Sequence, residues 1–172
     1  NILFGVDLSE ASTITEVLEL IKKKADTLKE GELVQGVRYN ISNIKENRYP
    51  TRKELDKIAP NNPVWLNSIE YHTSVINSMA LLELNLPYDI EGMPRDERNL
   101  PLGILSGKAG AFVKNRISQK INDKMREKAV EKALYTASCN GLTTIHAMEG
   151  GYSFSNRDAE FILKNKNKFK QD

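Results

Sequence analysis

The chain is 172 residues long, with 25 Lys and Arg against 23 Asp and Glu and a formal net charge of +2. That length suits one ordinary domain, or one piece of a larger one. The near-neutral balance, with 40% hydrophobic and 28% charged residues, argues against a nucleic-acid-binding protein, which would carry a strong basic excess. No apolar run approaches the ~18 residues of a membrane span. The one cysteine, Cys139, excludes an internal disulfide and points to a reducing, cytoplasmic setting.

In chain order, Asn1-Ile-Leu-Phe-Gly5 has no basic n-region and reads as a cut end rather than a signal peptide. Gly5-Val-Asp-Leu-Ser9 is expected as loop. Thr13 and Glu16 form a capping box, followed by Ile14, Val17, Leu18, Ile21, Ala25 and Leu28 at helical spacing. Leu33 to Tyr39 predicts a strand, and 40–50 an irregular polar loop. Thr51 with Glu54 begins a second helix through Ile58, and Pro63 to Ile69 predicts a second strand. Thr73 or Ser74 is expected to cap a helix carrying Val75, Ile76, Met79, Leu82 and Leu84.

Residues 85–102 hold three prolines and the charge cluster Arg95-Asp-Glu-Arg98, which predicts a long loop of a kind often functional. Gly103-Ile-Leu105 suits a very short strand. One long helix is expected from about Lys108 to about Asn140, with Cys139 buried and inert on its apolar face. Leu142 to Ile145 reads as a buried strand running into His146, Glu149 and the Gly150-Gly151 turn. Ser155 with Asp158 starts a last helix, and Lys164 to Lys170 form a solvated tail. The pattern is α/β: three or four mostly parallel strands alternating with helices. That is too few strands to close an eight-stranded barrel.

Only two histidines occur, and both are placed where a strand ends, the usual seat of chemistry in a parallel α/β protein. His72 is a candidate ligand, acid/base or substrate contact, or else a loop histidine or helix cap. His146 is a candidate metal ligand with Glu149 beside it, or a half-buried imidazole satisfied by backbone. Lys108 follows Gly103-Ile-Leu-Ser-Gly107 at a helix start. There its own charge is disfavoured and a modification that made it negative would be favoured, though taken alone it reads first as an exposed lysine. Trp65 is expected in the core, and Arg38 as a strand-edge charge. There is no His-x-His, no metal-spaced Cys/His cluster, no nucleophile elbow and no phosphate loop.

The ordered series Gly5-Val-Asp-Leu-Ser9, Gly36-Val-Arg-Tyr39, Pro50-Thr-Arg-Lys-Glu-Leu-Asp56, Pro63-Val-Trp-Leu66, His72 with Val75-Ile-Asn-Ser78, Gly103-Ile-Leu105 and Gly141-Leu-Thr-Thr-Ile-His146 resembles the amidohydrolase superfamily. In particular it resembles the branch of metal-dependent hydrolases similar to N-substituted formamide deformylases. The resemblance implies that residues 1–172 are one segment of a TIM-like barrel, with the family's His-x-His before residue 1 and its later metal ligands beyond residue 172. It implies a parent enzyme that hydrolyses C–N bonds of a small, amide-like substrate with one or two divalent metals, zinc foremost. No metal is expected to be held by this chain alone, and the isolated segment is expected to be inactive.

His72 matches the histidine of the family's Gly-His-x-x-x-x-Asn-Ser motif, which faces the substrate, with Tyr71 in place of the glycine. Lys108 stands near the family's acidic residue or carboxylated lysine, so a carbamate there would bridge the metals. His146, followed by Ala147, stands where relatives carry His-Asp or Asp. Catalytic roles thus fall to His72 and His146, metal binding to Lys108 as a carboxylated lysine, and substrate contact to Tyr71 and Glu149. A different reading is a free-standing α/β module that binds a ligand or partner through 85–102. The apolar face of the long helix also leaves room for a homo-oligomer.

Overall fold

A computed structural model describes residues 5–145 and 157–168. The described residues up to Val113 cluster as one compact unit and those from Lys114 as a second.

The first unit is built on a five-stranded sheet in the order β1-β2-β3-β4-β5, with strands Val6–Asp7, Val34–Tyr39, Val64–Ser68, Ser74–Ile76 and Ile104–Leu105. The pairs β1–β2 and β2–β3 are parallel, while β3–β4 and β4–β5 are antiparallel. β4 therefore reverses direction, and β5 runs in the same sense as the first three. This is the expected mostly parallel α/β architecture, with five strands rather than three or four.

Helices α1 (Ile14–Ala25), α2 (Arg52–Ile58) and α3 (Ser78–Glu83) lie between the strands in sequence. Ile14, Val17, Ile21 and Ala25 face inward from α1 and meet Val34, Leu55, Val64, Leu66 and Val75 in one apolar cluster. Each fully buried aliphatic side chain of this kind contributes roughly 1.5–3 kcal/mol. Gly36 lets Leu66 and Leu8 pack closely over the strand: a Cβ would stand 2.6 Å from Leu66 Cδ2 and 2.8 Å from Leu8 Cδ1.

The Thr51–Glu54 capping box forms as expected. Glu54 N donates to Thr51 Oγ1 at 3.2 Å, and Thr51 N donates to Glu54 Oε2 at 2.7 Å. Arg48 adds a two-armed pair to the Glu54 carboxylate at 2.8 and 2.9 Å. The guanidinium of Arg48 is the main reason that the Glu54 carboxyl is held down at about 2 rather than 4.5.

Asn77 joins the sheet to two helices. Its side chain is fully buried, yet it makes four hydrogen bonds. Oδ1 accepts from Val64 N at 2.9 Å and Ala80 N at 3.0 Å; Nδ2 donates to Ala59 O at 3.2 Å and Asn62 O at 2.8 Å. Ser78 beside it is tied to α2. Its N and Oγ each donate to Asp56 at 2.7 Å, and Arg52 Nη1 donates to Ser78 Oγ at 2.8 Å.

The structure also departs from the sequence reading along the chain. Val6–Asp7 is a strand, two residues long and thus too short to show an alternating pattern. Ser74–Ile76 is not the start of a helix but strand β4, buried at all three positions, and Asn77 caps the helix that follows. Two adjacent β-branched residues, Val75 and Ile76, favour the sheet here.

The expected long helix is two helices, α4 (Gly107–Gln119) and α5 (Asp123–Cys139). Asn122 caps α5 by accepting from Met125 N at 2.9 Å, and the buried Arg126 donates back to Ile121 O at 2.5 Å, so the break satisfies its own backbone groups. Leu142 to Ile145 is not a strand, and Leu142 and Ile145 are more than half exposed. A run of apolar residues becomes a strand only where a neighbour takes its hydrogen bonds, and no described strand pairs with it. Cys139 is exposed. It lies two residues past the buried Ala137, about 200° further round the helix.

The last helix, α6 (Arg157–Lys164), is present. His146, Glu149, Gly150, Gly151 and Ser155 lie outside the described residues. Among the described residues no helix is long and apolar enough to cross a membrane.

Two stability measurements test this account. Asn77→Ala should cost about 3 kcal/mol, because it removes a cap and strands buried backbone groups; a urea midpoint shift at unchanged m-value reads it. The folded-state pKa of Glu54 is depressed, so its contribution is present above about 4.5 and lost as pH falls through to about 2. Glu54→Gln should therefore flatten the fall in stability across that acid window in pH-resolved denaturation curves.

Candidate functional site

Because β1, β2, β3 and β5 run in one sense, their carboxyl ends share one edge of the sheet. Asp7 ends β1, Arg38 and Tyr39 end β2, Ser68 ends β3, and Ser106-Gly107-Lys108 follow β5. The β3–β4 turn, 69–73, lies at the same edge. In open parallel sheets this edge is where ligands bind.

The turn is held by Ser68. Its N and Oγ donate to Thr73 O at 3.0 and 2.7 Å, and Tyr71 N donates to Ser68 O at 3.1 Å. Tyr71 takes a left-handed backbone, φ +60, which a glycine adopts freely and a tyrosine only at a cost. That is a physical reason for glycine to suit the position before the histidine. His72 itself is exposed. It sits in a hairpin turn rather than at a strand-to-helix junction, yet still at the carboxyl edge.

The neighbouring elements bring further groups to this edge. A bulge between Gly36 and Tyr39 returns Tyr39 to the core and leaves Arg38 exposed with φ +60. Arg38 holds Asp7 with both arms, Nε to Oδ1 at 3.0 Å and Nη2 to Oδ2. Burial raises the phenol pKa of Tyr71, and the nearby Arg38 charge draws it part-way back. Tyr39 stacks on Tyr49, ring centroids 5.3 Å apart, and donates its hydroxyl to Arg48 O; burial pushes its phenol well above the usual range. Tyr49 Oη lies 3.5 Å from Glu70 Oε1, in the same turn as His72.

Lys108 lies in the first turn of α4. A Cβ on Gly110 of that helix would stand 3.7 Å from the His72 carbonyl oxygen, so the His72 turn backs onto the start of α4. The Lys108 side chain is exposed and pairs with Glu91 at 2.7 Å. The hydrogen bond and charge of Lys108 hold the Glu91 carboxyl below its ordinary value.

Residues 85–102 contain no helix or strand, only the isolated bridge Arg95↔Pro101. They are nonetheless built. Arg95 stacks on Tyr88 at 3.7 Å, and Asp96 Oδ1 accepts from Arg98 N and Leu100 N at 2.9 Å each. The loop docks on α4, with Ser106 N donating to Gly92 O at 2.9 Å and Ala109 N to Glu91 O at 3.0 Å.

Of the residues singled out in the sequence, His72, Tyr71 and Lys108 come to one edge of the sheet, and His146 and Glu149 lie outside the described residues. Asp7 and Arg38 join that edge: Arg38 is the strand-edge charge expected from the sequence, whereas the short β1 and the bulge that set the pair together do not show in periodicity. Among the described residues no group of three or more His, Cys, Asp or Glu side chains is placed to hold a metal ion.

Residues 1–168 match the model of the amidohydrolase family. The chain belongs to that family. It is 43% identical over 70 residues to the N-substituted formamide deformylase of Arthrobacter pascens, a match covering 41% of this chain and 13% of the relative. It is 26% identical over 153 residues to the putative amidohydrolase YtcJ of Bacillus subtilis strain 168, covering 86% of this chain and 28% of the relative. A crystal structure of an uncharacterized metal-dependent hydrolase from Pyrococcus furiosus superposes with a TM-score of 0.67 at 26% identity, over 99% of this chain and 33% of that one. The chain thus spans a third or less of the length of each of these relatives, and the family resemblance carried by the ordered motifs holds.

The docking of the loop depends on Gly92, whose φ is +90 and where a Cβ would fall 2.1 Å from the backbone oxygen of Ser106. Gly92→Ala should release 85–102 from α4 and speed limited proteolysis within the loop several-fold, with much less change in β1–β3 hydrogen-exchange protection.

Proposed function

We propose that the full-length protein is a cytoplasmic, metal-dependent hydrolase that cleaves the C–N bond of a non-peptide, amide-like small molecule, and that residues 1–172 form one segment of its TIM-like barrel domain. The observation that carries this is the carboxyl-edge placement of the His72 turn beside the Lys108 helix, in a chain whose family match runs over residues 1–168. That match favours an enzyme over a free-standing binding module. The relative of 43% identity is named for deformylation of N-substituted formamides, which supports a substrate of that chemical kind.

The described residues alone do not fit a metal. The divalent ion, zinc in this proposal, therefore belongs to the full-length protein, where it would polarise the carbonyl and activate a water. What this chain supplies is positioning. His72, on a rigid turn and open to solvent, donates a hydrogen bond to the substrate carbonyl oxygen, where negative charge gathers as the C–N bond is attacked. Tyr71 flanks the substrate, its ring oriented by the left-handed backbone. His146 and Glu149 are assigned to the same pocket, as catalytic and substrate-contacting groups respectively. Lys108 is assigned to the metal site as a carboxylated lysine. The carbamate would place a second negative charge beside Glu91, so Lys108 must leave that partner to serve there.

In the full-length protein, hydrolysis of N-benzylformamide should be lost on chelation and restored by zinc. His72→Ala should lower kcat about a hundredfold, with a smaller change in KM and an unchanged Tm. Turnover that survives chelation, or a His72→Ala variant as fast as the parent, would overturn the assignment.

A further inference from the structure

Among the described residues, those other than glycine that take a left-handed backbone are Arg38, Asn47, Tyr71, Asn85 and Asn99. Asparagine tolerates that region well. An arginine or a tyrosine is held there at a cost, and such outliers collect at working sites. Arg38 and Tyr71 both stand at φ +60, and both lie at the carboxyl edge of the sheet. The two are neighbours. Ile69 N, at the start of the His72 turn, donates to Tyr39 O at 2.9 Å. Burial raises the Tyr71 phenol pKa, and the Arg38 charge draws it down.

Arg38 is also oriented. Asp7 Oδ1 accepts from Nε at 3.0 Å and Oδ2 accepts from Nη2, which fills one side of the guanidinium. The adjoining edge, formed by Nη1 and Nη2, presents two parallel N–H groups with no partner among the described residues. The pair is not needed as a clasp. Both side chains are close to half exposed, where an ion pair adds little stability. β1 is already tied to β2 by its own pairing and by Leu8 N, which donates to Val37 O at 2.9 Å. What Asp7 does is fix a strained arginine in one pose. A planar, singly charged group with two oxygens fits the open edge. Asp7, and Glu70 in the neighbouring turn, disfavour a doubly charged phosphate.

We propose that Arg38, held by Asp7, seats a carboxylate of the substrate a few bonds from the scissile amide, with the Tyr71 ring as the wall beside it. This rests on the amide-hydrolase reading and narrows it to amides that carry an acid on the amine side. The acid anchors the molecule at the end of β2, and the amide then lies toward the turn that carries His72. Arg38 sets specificity and takes no part in breaking the bond.

The test uses the full-length protein and compares N-benzylformamide with two acids built on it. N-formylphenylglycine has the carboxylate beside nitrogen, and 4-(formamidomethyl)benzoate has it on the ring. The variants are Arg38→Gly, which removes the fork and relieves the left-handed strain, and Arg38→Lys, which keeps the charge without the fork. The parent should favour one of the acids over N-benzylformamide by about thirtyfold in kcat/KM, carried by KM. Arg38→Gly should erase that preference by weakening the acid, with Tm unchanged or raised, and Arg38→Lys should keep part of it. A parent that favours neither acid, or a preference that survives Arg38→Gly, would overturn the proposal. So would an Arg38→Gly variant of lower Tm that slows all three substrates alike, since the pair would then be a clasp for β1 and nothing more. The enzymatic reading fails separately. If no amide is hydrolysed, calorimetric binding of an acid by the parent and not by Arg38→Gly leaves the carboxylate seat standing. Hydrolysis of N-benzylformamide with both acids rejected would sink the seat alone.

Discussion

The buried amide of Asn77 is the constraint from which the first unit takes its shape. One side chain fixes the first residue of β3, the end of α2, the Asn61-Asn62 turn and the first turn of α3. A carboxamide has two donors and two acceptor sites, and here each oxygen and nitrogen finds a backbone partner. No aliphatic residue could replace it without stranding those partners. The short helix α3 could not hold itself in water at six residues. It persists because its cap is also a tie to the sheet.

That tie gives the motif Asn77-Ser78 a structural meaning distinct from that of His72, though both belong to one run of sequence. β4 is antiparallel to β3. His72 therefore stands at the carboxyl edge, with the candidate site, and Asn77 at the opposite edge, with the scaffold. Arg52, Glu54 and Asp56 also belong to the scaffold: two reach Ser78 and one closes the α2 cap. The most recognisable polar residues of the chain are thus mostly those that hold the sheet in place. The groups at the carboxyl edge, Asp7, Arg38, Tyr71 and His72, are exposed or only partly buried, and Arg38 and Tyr71 adopt a left-handed backbone.

Local chemistry carried much of the fold into the sequence. Thr51 and Glu54 announced α2 because a capping box is written in two residues three apart. The stripe of Ile14, Val17, Ile21 and Ala25 announced α1 for the same reason of short range. β4 was hidden, because three residues between a turn and an asparagine look the same as a helix start. The break before α5 was written in Asn122, a good cap, but a continuous apolar period obscured it. At the candidate site, His72 and Lys108 were legible from their positions next to strands. Arg38 was legible only as a strand-edge charge and its pairing with Asp7 was not, since a bulge and a two-residue strand exist only through pairing across the sheet.

The reversal at 69–73 has a consequence for how such a protein changes over time. The pairing of Asn67 with Ser74 and of Trp65 with Ile76 lies below the turn and does not depend on its length. Residues can be added to or trimmed from the tip while the floor stays locked by its asparagine. Changes of length and sequence can be tried at the top of this hairpin with little risk to the foundation.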